Sequence, residues 1–317
     1  MRTSPRVRSA AVVVAAAVLG SLGGPAAAAA APPTYLCSEL VAQQQDRGGV
    51  YGRHLVGDLV ADGPACRVAS SSITGDVTVE AGTFLALDRV TVTGDVRSAE
   101  GTQATWVEMW DSVVHGDVAV NALAVLVSTV HGDVEAEATA TPANPWGVWP
   151  YVEPLLLVHV SRLGGSVRAD VPTLSFGTST VVGAVDATAT QLVRVQGTAV
   201  GADVTARGDA RLVVHDSQVR GALHADRVRD VLVCRTGVGG DLVLEATRMW
   251  TRVGEEGREQ CRTTVDGSVR VVDNPSSVIL GDLHVAGDLV CADNTGSLGV
   301  VRRPELTVAG ARSPECA

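Results

Sequence analysis

Acidic, imidazole and aromatic side chains carry the types and spacings in this sequence that could do chemistry. Five Gly-Asp pairs place Asp58, Asp76, Asp95, Asp117 and Asp133 at matching positions of a recurring pattern. Carboxylates stacked about 5 Å apart repel by about 1 kcal/mol even in water, and a divalent cation would relieve that. Asp76, Asp95, Asp117 and Asp133 are therefore candidate metal ligands, together with His115 and His131, which stand immediately before Gly116 and Gly132. Calcium is the candidate ion for the carboxylates, and two stacked imidazoles beside two carboxylates could bind a metal. A plainer reading competes with this. One column supplies few oxygens for an ion that takes roughly six to eight. The glycine-rich nonapeptide of calcium-binding β-rolls is absent, and Thr74 and Thr93 fill the histidine column on earlier repeats. The aspartates then serve solvated turns with Asx-type hydrogen bonds.

Aromatic residues are scarce and clustered. The segment 142–154 contains Trp146, Trp149 and Tyr151, rigid amphipathic side chains of the kind that stack on sugars or bury at interfaces. It lengthens one repeat, and loops leaving a rigid scaffold often carry recognition. Trp110, in a column with Leu126 and His159, could extend the patch. Folding of the loop back onto the scaffold is the bland alternative. His159 and His215 share a column but lie three repeats apart. No catalytic residue is assigned. The elements of polygalacturonase-like enzymes (Asn-Thr-Asp, Asp-Asp, Gly-His-Gly) do not occur, and neither does a nucleophile elbow or a phosphate loop.

These side chains sit on a repeat. Glycines 57, 75, 94, 116, 132, 165, 183, 201, 221, 240, 267 and 281 align, typically 16 to 22 residues apart. Aliphatic residues stand two before and two after most of them, as in Ile73 and Val77 or Val114 and Val118. A further alternating pair lies upstream, as in Leu85 and Leu87. Alternation of period two means short strands with one buried face. The expected fold is a single-stranded right-handed parallel β-helix of about 12 rungs of ~19 residues, each with three strands and three bends. The glycine serves a bend needing positive φ or close approach. A hydroxyl column four residues before it (Ser71, Ser112, Ser128, Ser161, Ser179, Ser217, Thr236, Thr263, Ser277) would satisfy backbone groups at another bend.

The expected organisation is a signal peptide over 1–31, an N-terminal cap over 32–54, the coil over 55–299 and a C-terminal cap over 300–317. Insertions fall at 142–155 and 245–260, and a short capping helix over 38–46. Arg2, Arg6 and Arg8 precede the apolar run Ala10–Leu19 and an alanine-rich stretch, the pattern of a secretory signal. No other apolar stretch is long enough to span a bilayer. Removing 1–31 takes three of 25 cations and none of 35 acids, leaving a net charge near −13. That disfavours nucleic acid and anionic membrane as partners. The six cysteines of an exported chain read as disulfides. Cys234 and Cys261 each stand six residues before an aligned glycine, so they stack on successive rungs, within bonding reach. Cys37 with Cys66 and Cys291 with Cys316 follow from proximity and elimination.

The Ser-x-Val-x-Gly-Asp-Val rungs resemble those of bactofilins, polymer-forming proteins with a small right-handed β-helix, over most of residues 55–290. Bactofilins are cytoplasmic, so export and cysteines set this chain apart, and polymerisation does not carry over. The run Gly287-Asp288-Leu289-Val290-Cys291-Ala292-Asp293-Asn294 is similar to a C-terminal pattern of uncharacterised exported actinobacterial β-helix proteins. That resemblance implies architecture and no chemistry. The expected function is a secreted or cell-wall-associated, non-enzymatic scaffold that meets an extracellular glycan or surface protein. The alternative is a polysaccharide lyase or hydrolase, suggested by fold analogy alone.

Overall fold

The computed structural model describes residues 31–44, 48–101, 105–137, 155–257 and 259–316. From Pro32 onward the chain is a β-solenoid of three parallel sheets, each 13 strands deep. The first sheet runs from Thr34–Leu36 to Leu289–Ala292. The second runs from Val50–Tyr51 to Val300–Arg302, and the third from His54–Val56 to Thr307–Val308. Each rung gives one strand to each sheet in turn. Alternation decides which side chains enter the coil. On one rung Val77 and Val79, then Leu85 and Leu87, then Val92 point inward and are at most 1% exposed. Each stacks on its counterpart above and below, so one rung's apolar edge is buried only by its neighbours.

Two corners recur, and each is a hydrogen-bonded ladder. At the corner from the third sheet to the first, the Asp76 N–H donates to Asp58 Oδ1 at 2.9 Å and the Asp95 N–H to Asp76 Oδ1 at 2.9 Å. The series continues from Asp117 to Asp95 (2.7 Å), Asp133 to Asp117 (2.9 Å) and Ser166 to Asp133 (2.7 Å). The aspartate therefore caps the next rung rather than its own turn. The glycine before it is required by close approach. A Cβ on Gly116 would lie 2.0 Å from Asp95 Oδ1 and 2.6 Å from the Gly94 carbonyl oxygen.

This ladder corrects the alignment twice. The Gly221 N–H bonds the Ala202 carbonyl, so Ala202 fills the glycine position and Gly201 the position before it. Alanine fits because the preceding rung has Ala184 where others have aspartate, leaving no carboxylate against its Cβ. Likewise the Gly287 N–H bonds the Gly267 carbonyl, so Gly287, not Gly281, belongs to the column.

At the corner from the second sheet to the third, one residue per rung takes a left-handed conformation: Ser70, Arg89, Asp111, Val127, Val160, Thr178, Gly197, Asp216 and Arg235, with φ between 46° and 58°. The hydroxyl that follows stabilises it. Ser161 Oγ donates to the His159 carbonyl (2.7 Å) and to the Val125 carbonyl of the rung before (3.0 Å), and accepts from the Ser128 N–H (3.1 Å). The column does what was expected of it, with one exchange. Thr198 belongs to it, donating to Gln196, whereas Ser277 lies at another bend.

The ends carry more coil than the sequence indicated. Thr34–Leu36 already pairs with Asp58–Ala61, and the capping helix is Cys37–Gln43. Asp62 holds its first turn, accepting from the Ser38 N–H at 2.8 Å and the Ser38 hydroxyl at 2.5 Å. In the expected tail, Val300–Arg302 and Thr307–Val308 add strands to two sheets, and a 3-10 turn Pro314–Cys316 follows. The excursion expected over 245–260 is shorter. Thr251–Val253 is a regular strand of the second sheet, and only the antiparallel pair Glu255–Glu256 with Glu259–Gln260 leaves the coil. Cys37–Cys66, Cys234–Cys261 and Cys291–Cys316 are all paired, with Cα atoms 6.0, 5.3 and 5.4 Å apart.

Candidate functional site

The site forms on the outer edge of the second sheet, where strands end against the Ser corner. The last residue of each strand there faces outward. In register these are Asp88, Trp110, Leu126, His159, Gly177, Gln196, His215 and Cys234. The left-handed residue that follows turns the chain sharply, so this column forms a ridge. The ridge breaks at Gly177, and the next rung adds Gly197 at the left-handed position itself. A Cβ on Gly177 would lie 2.6 Å from His159 Nδ1, so the missing side chain lets the imidazole lie across the neighbouring rung. The break opens a groove of about 430 Å³. His159, Ser175, Thr178, Arg194, Gln196 and Asp216 supply its polar lining, and Phe176, fully buried, packs the core beneath. Trp110, 49% exposed, stands on the same column three rungs away.

A charged knot closes the other end. Asp216 Oδ2 lies 2.7 Å from His215 Nδ1, and Arg235 Nε donates to Asp216 Oδ1 at 2.6 Å. Arg235 Nη2 donates to His215 Nε2 at 2.6 Å, so Nε2 is the acceptor and Nδ1 carries the proton. Glu256 Oε2, on the excursion, lies 3.2 Å from the same Nε2 and 3.8 Å from Cys234 Sγ. The Arg235 hydrogen bond holds the Asp216 carboxyl below the ordinary range, against a smaller opposing push from burial and with help from the Arg235 charge and the His215 hydrogen bond.

No protein-family model, curated protein or solved structure matches the chain.

The groove therefore rests on its own geometry. Of the residues marked in the sequence, Trp110 is exposed on this ridge, in register with Leu126 and His159. Trp146, Trp149 and Tyr151 lie outside the described residues. His115 and His131 stack, with ring centroids 4.9 Å apart and planes 4° from parallel. Asp76, Asp95, Asp117 and Asp133 each commit one carboxylate oxygen to a neighbouring backbone N–H. Among the described residues, the side chains that gather three metal-ligating atoms are instead His215, Cys234 and Glu256. Among those residues, too, no helix is long and apolar enough to cross a membrane.

Sequence reading missed Arg194, Gln196 and Gly177. The available signal was a gap: two glycines in adjoining columns whose neighbours carry large side chains. It also missed Trp250, 44% exposed, which lies 5.4 Å beneath the Arg252 guanidinium beside the exposed Met249. Trp250 falls inside the expected excursion, so no register assigned it a face.

Proposed function

We propose that this protein is an exported, non-catalytic solenoid that binds a neutral extracellular glycan along the outer edge of its second sheet. The observation that carries this reading is the groove at Gly177 and Gly197, with polar side chains along its walls and Trp110 on the same ridge. Aromatic faces pack on the apolar faces of sugar rings, and planar polar groups such as Arg194 and Gln196 fix hydroxyls. Strand stacking fixes the backbone that carries these groups, so the ordering cost of binding falls on the side chains alone. The net negative charge argues against a polyanionic ligand. Export is supported by the N-terminal pattern and by three paired cysteines.

Asp216, the carboxylate in the groove lining, has its pKa lowered, whereas a glycosidase acid has to be raised to hold its proton. A glycan array combined with a reducing-sugar release assay tests the reading. Binding without release, weakened tenfold or more in both Trp110→Ala and Arg194→Ala, is expected. Release that disappears on changing a single carboxylate would replace it with a hydrolase. Binding unaffected by both substitutions would remove the groove from consideration.

A further inference from the structure

Two of the three disulfides lie inside the coil. Cys37, Cys66, Cys291 and Cys316 belong to the main hydrophobic core. Cys234 and Cys261 do not. They form a separate small cluster with Leu232, packed against Val213, on the outward face of the second sheet. Inward-facing Val231 and Val233, on the same strand, belong to the main core. Cys234 is fully buried and Cys261 is 3% exposed, with Glu256 of the excursion against Cys234. The two-stranded excursion covers this bond from outside, whereas the other two lie within the main core at the two ends of the coil.

Metal-ligating side chains stand close together around the bond. His215 Nε2 and Glu256 Oε2 are 3.2 Å apart, and Glu256 Oε2 and Cys234 Sγ 3.8 Å apart. All three ligand atoms lie within 4.8 Å of one another. A tetrahedral zinc, with Zn–S of about 2.3 Å and Zn–N and Zn–O of about 2.0–2.2 Å, sets N and O about 3.4 Å apart and S and O about 3.6 Å apart. Asp216 lies 2.7 Å from His215 Nδ1, the partner that fixes a metal-bound imidazole through its other nitrogen, while Nε2 accepts from Arg235 and becomes a ligand only once that hydrogen bond is released. Cys261, bonded to Cys234, provides the fourth ligand once the bond opens.

We propose that His215, Cys234, Glu256 and Cys261 form a thiol-gated zinc site, closed as a disulfide and opened to Zn²⁺ by two-electron reduction. An external dithiol gives two electrons and two protons to the Cys234–Cys261 bond and itself becomes a disulfide. The two thiols release those protons to solvent as they bind the ion. Glu256 binds as its carboxylate and His215 through Nε2, with the Nδ1 proton kept on Asp216. Arg235 turns its Nη2 away from Nε2. Its charge then offsets the single negative charge left by two thiolates and a carboxylate around Zn²⁺. Two sulfurs, an imidazole and a carboxylate select zinc over calcium or magnesium. The site adjoins the groove through Asp216, which lines the groove and holds His215, but none of its four ligands lines the groove.

The full chain, treated with a phosphine reductant or left oxidised, is titrated with Co²⁺ as a spectroscopic probe and then with Zn²⁺. Reduction should expose two thiols and no more. One equivalent of Co²⁺ should then give a thiolate-to-cobalt charge-transfer band and the visible bands of a tetrahedral ion, lost on adding Zn²⁺. Two protons should be released per ion. The oxidised chain should show none of this. His215→Ala and Glu256→Gln should each weaken Zn²⁺ binding at least tenfold; Glu256 is exposed, so that variant leaves the fold intact. Six thiols, or none, under mild reduction would overturn the gate. Two thiols without the charge-transfer band, or unchanged affinity in Glu256→Gln, would overturn the ligand set.

Discussion

At the residue scale, the Gly-Asp pair is a steric and hydrogen-bonding unit shared between rungs. The glycine leaves room for the preceding aspartate, and that aspartate caps the N–H that follows the glycine. Gly116→Ala should lower unfolding stability by about 2–4 kcal/mol, combining overpacking with loss of the Asp95 hydrogen bond. Ala202→Gly, at the same corner, should cost only about 0.5–1 kcal/mol of chain entropy. Asp95→Ala should cost about 1 kcal/mol and Asp95→Asn markedly less, because the amide keeps an acceptor oxygen. Denaturant midpoints at unchanged m-value measure all four. Equal losses for Asp95→Asn and Asp95→Ala would show that charge, not the cross-rung bond, matters. The sequence placed the aspartates in one column but did not say which neighbour they serve. Register identifies what is stacked; it does not say which atom of an aspartate faces the next backbone. The turn reading was therefore close in kind and wrong in partner.

At the element scale, the Ser corner forces unfavourable residues into left-handed backbone. Val127 and Val160 hold φ of 51° and 50°, although a branched Cβ disfavours that region. Both are 47% exposed, so packing gives no reason for valine. Val160→Asn should raise stability by about 0.5–1 kcal/mol, since asparagine tolerates this conformation. A lowered melting temperature would mean that the exposed valine makes contacts worth more than the strain. This corner was half legible: the hydroxyl column was found, but the left-handed residue before it has no sequence signature when Val, Thr, Arg and Asp all occupy it. The groove was hidden for the same reason, because it arises where a glycine interrupts one column beside another. A second element-level contact joins the excursion to the last complete rung. Glu255, 4% exposed, accepts two hydrogen bonds from Arg303, at 2.6 and 3.0 Å. Glu255→Gln should lower the denaturant midpoint clearly more than Glu256→Gln, whose side chain is exposed; equal effects would show that the Arg303 pair contributes nothing measurable.

At the scale of the whole molecule, stability is a sum over neighbouring rungs, and the coil opens from its ends. Each end is held by an ionised carboxylate. Burial pushes the Asp62 carboxyl up, but hydrogen bonds from the Ser38 hydroxyl and backbone N–H outweigh it and leave the pKa lowered. Near the other end, the Arg303 hydrogen bonds hold Glu255 below the ordinary range despite burial. A carboxyl whose folded pKa is lowered binds fewer protons folded than unfolded. Its stabilisation is complete above the unfolded value of about 4 and disappears as pH falls through the folded value. Acid should therefore loosen the cap Cys37–Gln43 and the strands Val300–Arg302 and Thr307–Val308 before it touches the middle rungs. Protection factors from hydrogen exchange, compared at pH 7 and pH 3, measure this. Loss confined to the two ends is expected, although the disulfides Cys37–Cys66 and Cys291–Cys316 limit how far the fraying spreads. Uniform loss across central strands such as Thr173–Gly177 would show that the ends carry no special acid sensitivity. The coil would then behave as one cooperative block, with coupling between rungs stronger than any single cap.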